Sequence, residues 1–441
     1  MNRIGRPKQR GAPQLMSMSE KERLLQLAGV AMTVAVVLLA MRAVEAQTPA
    51  TTGRAPTVAV KTGPAPKTPW GEPDLQGIWS RDVDVPLQRP VKYGNQEFLT
   101  DAERAELDRQ IAGILSRDST EGRRVRGTER DVNSEFVQAP FTMHLPVGRR
   151  TSLIVDPPDG RIPPLTPEAQ KARDALRQFQ LALLQPTVAC KEQHPGCAGG
   201  KYGPVSPRRG ETPPMYLTGG GGGGTINRAD GPEDRTLSER CLGGALPDFG
   251  SFVGGFSRIV QAPGEISIFY DIGPGQGRFR SIPITTAPHL PATIRQWWGD
   301  SRGRWEGDTL VVDVTNFSPK SDFQGAHGNL HLVERWTRLD ADTIEYAVTI
   351  DDPTTWTRSW TAKQELKKQS DAANQIYYEP RCHEGNYGLP ALLLGARVVE
   401  QAFAEGGGPD PATLCTTIAG CGGFVRGGFA DEGQQDADPL R

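Results

Sequence analysis

The chain has 441 residues, with 50 Lys and Arg against 52 Asp and Glu, a formal net charge of −2 at pH 7. Residues 1–46 hold 7 of the basic and 3 of the acidic residues, so the remainder carries 43 against 49. Nucleic acid and anionic membrane surfaces are poor partners for such a charge. The 51 Gly and 37 Pro indicate long irregular segments rather than two dense domains.

The first 46 residues have the parts of a secretory signal. Basic residues precede an apolar run from Leu24 to Met41, and Val44 and Ala46 then supply the small residues that a signal peptidase reads. We expect cleavage after Ala46, which leaves a periplasmic or secreted protein without a stable membrane span. Retention as an anchor is the alternative, because the run reaches the lower end of a spanning length.

Composition divides the rest of the chain. A run of six Gly at 219–224 lacks the Lys-Ser/Thr ending of a phosphate loop, so we interpret it as a linker. We predict a signal peptide at 1–46, a flexible spacer at 47–68, a partly helical N-terminal region at 69–185, a Pro/Gly-rich excursion at 186–239, a β-meander domain at 240–388, a closing helix at 389–404 and a Gly-rich tail at 405–441.

Three helices are predicted. Thr100 and Glu103 form a capping box before apolar residues at helical spacing, which predicts a helix from Thr100 to about Arg117. A second helix begins at Thr166, with Pro167 at its first helical position. The third runs from Leu389 to Phe403.

From residue 240 to about 384 the hydrophobic period changes to two, and no long helical pattern intervenes. The fold class is therefore mainly β with flanking helices: an antiparallel β-meander, up-and-down and barrel-like, after a helical and irregular N-terminal region. The predicted strands are Ser257–Gln261, Ile266–Ile272, Arg278–Ile284, Thr309–Phe317, Leu330–Arg338, Thr343–Asp351 and Trp356–Leu366.

The alternation of side chains between the two faces of a strand places a carboxylate on the inner face of this sheet. A three-residue loop at Asp340–Asp342 pairs Trp336 with Tyr346 and Glu334 with Val348, because register must match faces. Glu334 then lies among apolar side chains. Arg358, between Trp356 and Trp360 in the next predicted strand, is its expected partner. The two charges form either a buried ion pair or the polar floor of a ligand cavity.

Six cysteines in an oxidising compartment are most simply paired. Cys190 and Cys197 bracket one short loop, and Cys415 and Cys421 bracket another, so local closure is expected. Cys241 and Cys382 are then left for a long-range bridge. The connectivity is one of 15, and sequence alone does not fix it.

Other chemical motifs are weak. Gly299 to Gly303 reads GxSxG, but no helix follows Ser301, so we interpret this stretch as a β-turn rather than a nucleophile elbow. No helix carries histidines four residues apart, so we predict neither a metal nor a cofactor. The alternative metal set is His331, His383 and Glu384.

Several phrases, PWGEPDLQGIWS, GDSRGRWEGDTLVV and RCHEGNYGL among them, resemble a large uncharacterised family of secreted proteins from soil bacteria. The similarity spans roughly residues 69–397 and implies export, but it carries no established activity. The stretch from 186 to 235 lies outside the family pattern.

The sequence thus favours an exported protein whose β domain binds a small, partly apolar molecule, since barrels of about eight strands can enclose one. The candidate ligand-binding residues are Glu334, Arg358, Trp336, Tyr346, Trp356 and Trp360. The alternative function is a periplasmic lyase or hydrolase with Glu334 or His383 as general base. The third is a structural protein whose interior is simply filled. Sequence gives no oligomeric state.

Overall fold

A computed structural model of the protein describes residues 65–81, 85–115, 148–217, 226–237, 239–240, 242, 245–249, 256–273, 276–369 and 387–416. All of them belong to one unit, Lys61–Arg441. The predicted signal peptide and most of the predicted spacer lie outside the described residues.

The described residues form one antiparallel sheet, which confirms the predicted fold class. Nine strands follow one another around it in the order β5-β4-β3-β1-β10-β9-β8-β7-β6, and β2 pairs with β10 beside β1. Their bounds are β1 Gly77–Arg81, β2 Ile154–Asp156, β3 Phe256–Ala262, β4 Glu265–Gly273, β5 Gln276–Pro283, β6 Asp300–Glu306, β7 Thr309–Thr315, β8 His331–Arg338, β9 Thr343–Asp351 and β10 Trp360–Lys368.

The sheet curls until its two edge strands meet. An odd number of alternating strands leaves β5 and β6 running in the same direction, and the contact between them is a parallel bridge from Ile284 to Gly303. Thr285 N also donates to Gly303 O at 3.0 Å. Parallel neighbours need a crossover longer than a hairpin turn, which residues 284–299 supply. The result is a nearly closed barrel with a seam between β5 and β6.

The predicted register is confirmed. Trp336 lies opposite Tyr346, Glu334 opposite Val348 and Leu332 opposite Ile350. The even-numbered residues of β8 and β9 consequently face the barrel interior, where they join the main hydrophobic core. Leu332, Trp336, Tyr346, Val348 and Ile350 are each at most 1% exposed.

The turn predicted at Ser301 and the start of the last predicted strand are wrong. The stretch around Ser301 is not a turn, because β6 begins at Asp300 and the hairpin turn to β7 comes at Gly307. The last strand begins at Trp360 rather than Trp356. The reason for the late start is a turn at Asp352, whose side chain accepts from Thr354 N at 2.9 Å, so the chain becomes extended only at Trp360.

The helices begin close to their predicted positions. Thr100 Oγ1 accepts from Glu103 N at 3.2 Å, and Glu103 Oε2 accepts from Thr100 N at 2.7 Å, which is the predicted capping box. Thr166 caps the second helix by accepting from Ala169 N. The helices are α1 Asp101–Leu115, α2 Pro167–Leu184, the short α3 Val188–Lys191, and α4 Gly388–Ala404.

The Pro/Gly-rich excursion is partly folded. Its α3 carries Cys190, and the predicted disulfide to Cys197 is confirmed. Ile226 and Leu217 pack with Phe179 of α2 in a small core of their own. The six-Gly run lies outside the described residues.

Candidate functional site

Glu334 lies at the centre of a buried polar network inside the barrel. Its Oε2 forms an ion pair with Arg280 Nη2 at 2.7 Å, and its Oε1 accepts from Tyr346 OH at 2.8 Å. Arg280 also donates to Ser301 Oγ at 3.0 Å and to Tyr270 OH at 3.3 Å. The carboxylate side chain is 0% exposed and the guanidinium side chain 3%. The network therefore joins β4, β5, β6, β8 and β9.

The predicted pairing of Glu334 with Arg358 is wrong. Arg358 lies in the turn before β10, where its side chain is 52% exposed and pairs with Asp156 at 2.8 Å. Because the chain is not yet extended there, face parity with Trp360 does not apply to it. Arg280, which belongs to a correctly predicted strand, supplies the interior positive charge.

A second buried ion pair lies beside the first. Arg81 at the end of β1 donates to Asp248 Oδ2 at 2.5 Å and to Ser257 Oγ at 2.8 Å. Its guanidinium carbon also lies 5.3 Å from the ring centre of Tyr270. Arg280 with Glu334 and Arg81 with Asp248 are thus two neighbouring buried ion pairs, and Tyr270 contacts the cation of each.

Burial changes the acidity of the two interior tyrosines. It raises the pKa of Tyr270 to about 12, where the charge of Glu334 adds to the effect and Arg280 opposes it. Burial, followed by the charge of Glu334, likewise raises the pKa of Tyr346 well above its usual value. For Arg280, burial is the largest single influence and lowers the pKa, but the interactions with Glu334 and Tyr270 together outweigh it, so the net change is upward.

We expect the barrel to lose stability between pH 10 and 12. An unfolded tyrosine ionises near 10.0, whereas Tyr270 stays protonated to about 12, so its contribution is complete below pH 10 and lost as pH rises through 12. Two pKa units correspond to roughly 3 kcal/mol. Denaturant titrations at pH 9 and pH 11.5 measure the loss. Tyr270→Phe should lose less than wild type, and an equal loss would contradict the assignment.

The predicted aromatic walls are buried together. Trp336 and Tyr346 have ring centres 4.4 Å apart, and Trp356 and Trp360 are 5.5 Å apart. Phe249 and Phe323 connect the two pairs at 6.0–6.2 Å, forming an aromatic row. The four predicted side chains are at most 1% exposed, and the three indole N–H groups make no hydrogen bond. Ligand contact by these residues stays a prediction, and it requires the interior to open.

Open space lies instead at one end of the barrel, which we call the loop end. Here β7 and β9 finish, β8 and β10 begin, and segments 284–299, 316–330 and 352–359 meet. A cavity of about 410 Å³ lies among these segments. Its lining residues are Arg295, Pro319, His327, Gly328, Asn329, Asp352, Thr354 and Thr355.

Two of the polar side chains that line this cavity, Asp352 and His327, already have hydrogen-bond partners within the protein. Asp352 accepts from the Thr354 hydroxyl at 2.6 Å and from the Thr355 hydroxyl at 3.0 Å, and it is 2% exposed. His327 Nδ1 lies 2.6 Å from Ser321 O, and since a carbonyl only accepts, Nδ1 carries the proton. Asp352 and His327 therefore shape the cavity walls.

A carboxylate–imidazole chain runs over the outer face near the same end. His289 Nδ1 is 2.8 Å from Asp300 Oδ2, its Nε2 is 2.9 Å from Asp313 Oδ1, and His331 Nε2 is 3.2 Å from Asp313 Oδ2. Carboxylates only accept, so His289 satisfies both neighbours when both of its ring nitrogens carry protons. This arrangement fixes segment 284–299 to β6 and β7. The sequence analysis did not identify this chain of contacts. Asp300 and Asp313 are 11 and 24 positions from His289, and His331 is connected to His289 through Asp313.

Of the predicted acid–base residues, the structure describes Glu334, which is not exposed to solvent. Glu334 is enclosed by Arg280 and Tyr346, so a substrate would reach it only if the barrel interior opened. His383 and Glu384 lie outside the described residues. Of the predicted metal alternative only His331 is described, and it pairs with Asp313. Within the described ranges, no group of three or more His, Cys, Asp or Glu side chains could hold a metal ion.

The cysteines follow the sequence prediction as far as they are described. Cys190 and Cys197 are bonded, Cys415 is also in a disulfide, and no described cysteine is free. Cys241, Cys382 and Cys421 lie outside the described residues, so the partner of Cys415 stays a prediction. Among the described helices, none combines the length and the apolar character that crossing a membrane requires.

Comparison with known proteins assigns no relative to the chain. No protein-family model matches it, and no curated protein does. Among solved structures it is similar to secretory abundant heat soluble protein 4 from Ramazzottius varieornatus, with 13% identity over 26% of this chain and 69% of that chain. The TM-score is 0.18, and a similarity at that level carries no argument about fold or function.

Proposed function

We propose that the barrel domain binds a small, partly apolar molecule in the cavity at the loop end. The observation that supports this is the cavity itself: its volume of about 410 Å³ falls within the range of small-molecule sites, roughly 300 to 1,000 Å³. Barrel mouths are common positions for such sites.

The surroundings of the cavity support a ligand with two kinds of surface. Arg295, Asn329 and Thr354 offer polar groups at the rim. Thr355 lines the cavity and is followed in the chain by Trp356, the end of the aromatic row. A partly apolar molecule would place its polar end at the rim and its apolar part toward this aromatic row.

The setting we propose is outside the cytoplasm. The disulfide between Cys190 and Cys197 supports an oxidising compartment, periplasmic or extracellular. The basic and apolar segments before Ala46 support export by a cleaved signal. Membership of the secreted soil-bacterial family that the motifs resemble is part of the same proposal.

Filling the cavity should abolish binding. Asn329 is exposed, lines the cavity and makes one side-chain hydrogen bond, to Thr354 Oγ1 at 3.3 Å, so Asn329→Trp occupies the space with little loss of structure. A ligand at 100 times its Kd stabilises a protein by about 2.7 kcal/mol. We therefore expect a library of small aromatic and terpenoid acids to contain a compound that raises the thermal midpoint of the wild type but not of this variant.

Thr349→Trp is the matched control. Thr349 is exposed on the outer face of β9 and also makes one side-chain hydrogen bond, to Thr361 Oγ1 at 3.2 Å. The control should respond to ligand as the wild type does. An equal midpoint shift in Asn329→Trp, or no shift with any compound in the wild type, would count against the proposed site.

A further inference from the structure

Arg295 is a fixed cation at the cavity that no carboxylate neutralises. Its Nη1 donates to Gly328 O at 2.5 Å, and this is its one hydrogen bond to the described residues. It forms no ion pair with them. Arg302 and Arg358, also near the loop end, pair with Asp300 and Asp156. The guanidinium of Arg295 thus keeps most of its donors and its full charge available.

Neighbouring acidic groups do not take up this charge. Asp352 is the one carboxylate among the lining residues, and its oxygens accept from Thr354 and Thr355. His327 adds no negative charge. Asp352 keeps its negative charge but forms no ion pair with Arg295, and hydroxyl groups already occupy its oxygens, so the free guanidinium donors of Arg295 are left for an oxyanion.

The backbone around Arg295 holds it in place. Gln296 forms a parallel bridge with Phe317, and Ser318 N donates to Gln296 O at 2.7 Å. Asn316 Nδ2 donates to Leu290 O at 2.7 Å, and His289 is held by Asp300 and Asp313. A guanidinium on an anchored segment can meet an oxyanion through two parallel N–H groups with little ordering cost.

We infer that the ligand of the loop-end cavity carries an oxyanion, a carboxylate or a phosphate ester, that Arg295 binds. This inference rests on the proposed function and names the chemistry of its ligand. The apolar part of the molecule then lies toward the aromatic row.

Matched acid and amide pairs test the inference by calorimetry at pH 7. The probes are phenylacetate with phenylacetamide, 1-naphthylacetate with 1-naphthylacetamide, and phenyl phosphate for the second oxyanion. We expect the wild type to bind at least one oxyanion about tenfold or more tightly than the neutral amide with the same ring, which for phenyl phosphate is phenylacetamide, since a charge-assisted hydrogen bond replaces a neutral one. Arg295→Gln should remove this preference, and the tighter of carboxylate and phosphate identifies the source.

Arg358→Gln is the control for charge alone, because Arg358 is exposed at the same end but paired with Asp156. It should keep the preference for the acid. If neither the carboxylates nor phenyl phosphate bind the wild type more tightly than the amides, the inference is overturned and the proposed function is left standing. Binding of neither acids nor amides counts against the proposed function itself. A preference that survives Arg295→Gln assigns the oxyanion to another group and also overturns the inference.

Discussion

Replacing Glu334 by Leu should destabilise the barrel by roughly 3 to 5 kcal/mol, because it leaves Arg280 buried without a counter-charge. The two side chains are 0% and 3% exposed, so water does not substitute for the lost partner. Removing both charges should cost much less, since a buried pair can often be replaced by apolar side chains at little cost. Glu334→Leu with Arg280→Met should therefore recover much of the loss. Urea unfolding of the two single variants and the double variant gives the comparison.

The matched control is the exposed ion pair between Glu306 and Arg335, the residue that follows Glu334 in β8. Arg335 Nη1 lies 2.9 Å from Glu306 Oε2, with side chains 46% and 41% exposed. Breaking it with Arg335→Met should change the free energy of unfolding by about 1 kcal/mol or less. If Glu334→Leu costs no more than Arg335→Met, or if the double variant is as unstable as the worse single variant, the buried network has no such role.

Gly299→Ala should be the other strongly destabilising substitution. Gly299 precedes β6 with φ +67°, and an added Cβ would lie 2.6 Å from Thr315 O and 2.9 Å from Val314 Cγ1. The left-handed conformation alone costs an alanine about 1 to 2 kcal/mol. Overlap with a strand backbone adds roughly 1 to 3 kcal/mol, because β7 must shift to relieve it.

Gly307 separates these two effects. It lies in the turn between β6 and β7 with φ +60°, and nothing lies within 4 Å of an added Cβ. Gly307→Ala should show the conformational cost without the overlap. Thermal unfolding of the two variants side by side measures the difference, and equal midpoints would show that the contact with Thr315 is accommodated.

Local patterns were enough to predict the register of the central hairpin. Leu332, Glu334 and Trp336 share one face of β8, and a one-residue slip would turn all three outward, so their partners on β9 followed. The same alternation placed Glu334 inside. Capping residues placed the first turns of α1 and α2 in the same way.

Contacts made through closure of the barrel could not be predicted locally. Arg280 reaches Glu334 across the seam, and nothing in either strand specifies which strands meet there. The prediction for Arg358 was wrong because Trp356, Arg358 and Trp360 have the spacing of one strand face. These residues follow a turn that the Asp352 side chain stabilises, and the strand begins only at Trp360. The loop-end cavity was missed since three separate segments build it, and none of them has a motif of its own.

The position of β1 sets an order on folding. This strand is made before every other strand of the sheet, yet its partners Arg258 and Lys368 follow Ile78 and Trp79 by about 180 and about 290 residues. Within each of the runs β3–β5 and β6–β10, strands that follow one another in the chain are paired, so their contacts are local in sequence. β1 can pair with β3 once the first run exists, and it joins the two runs into one sheet only when β10 of the second run is also present.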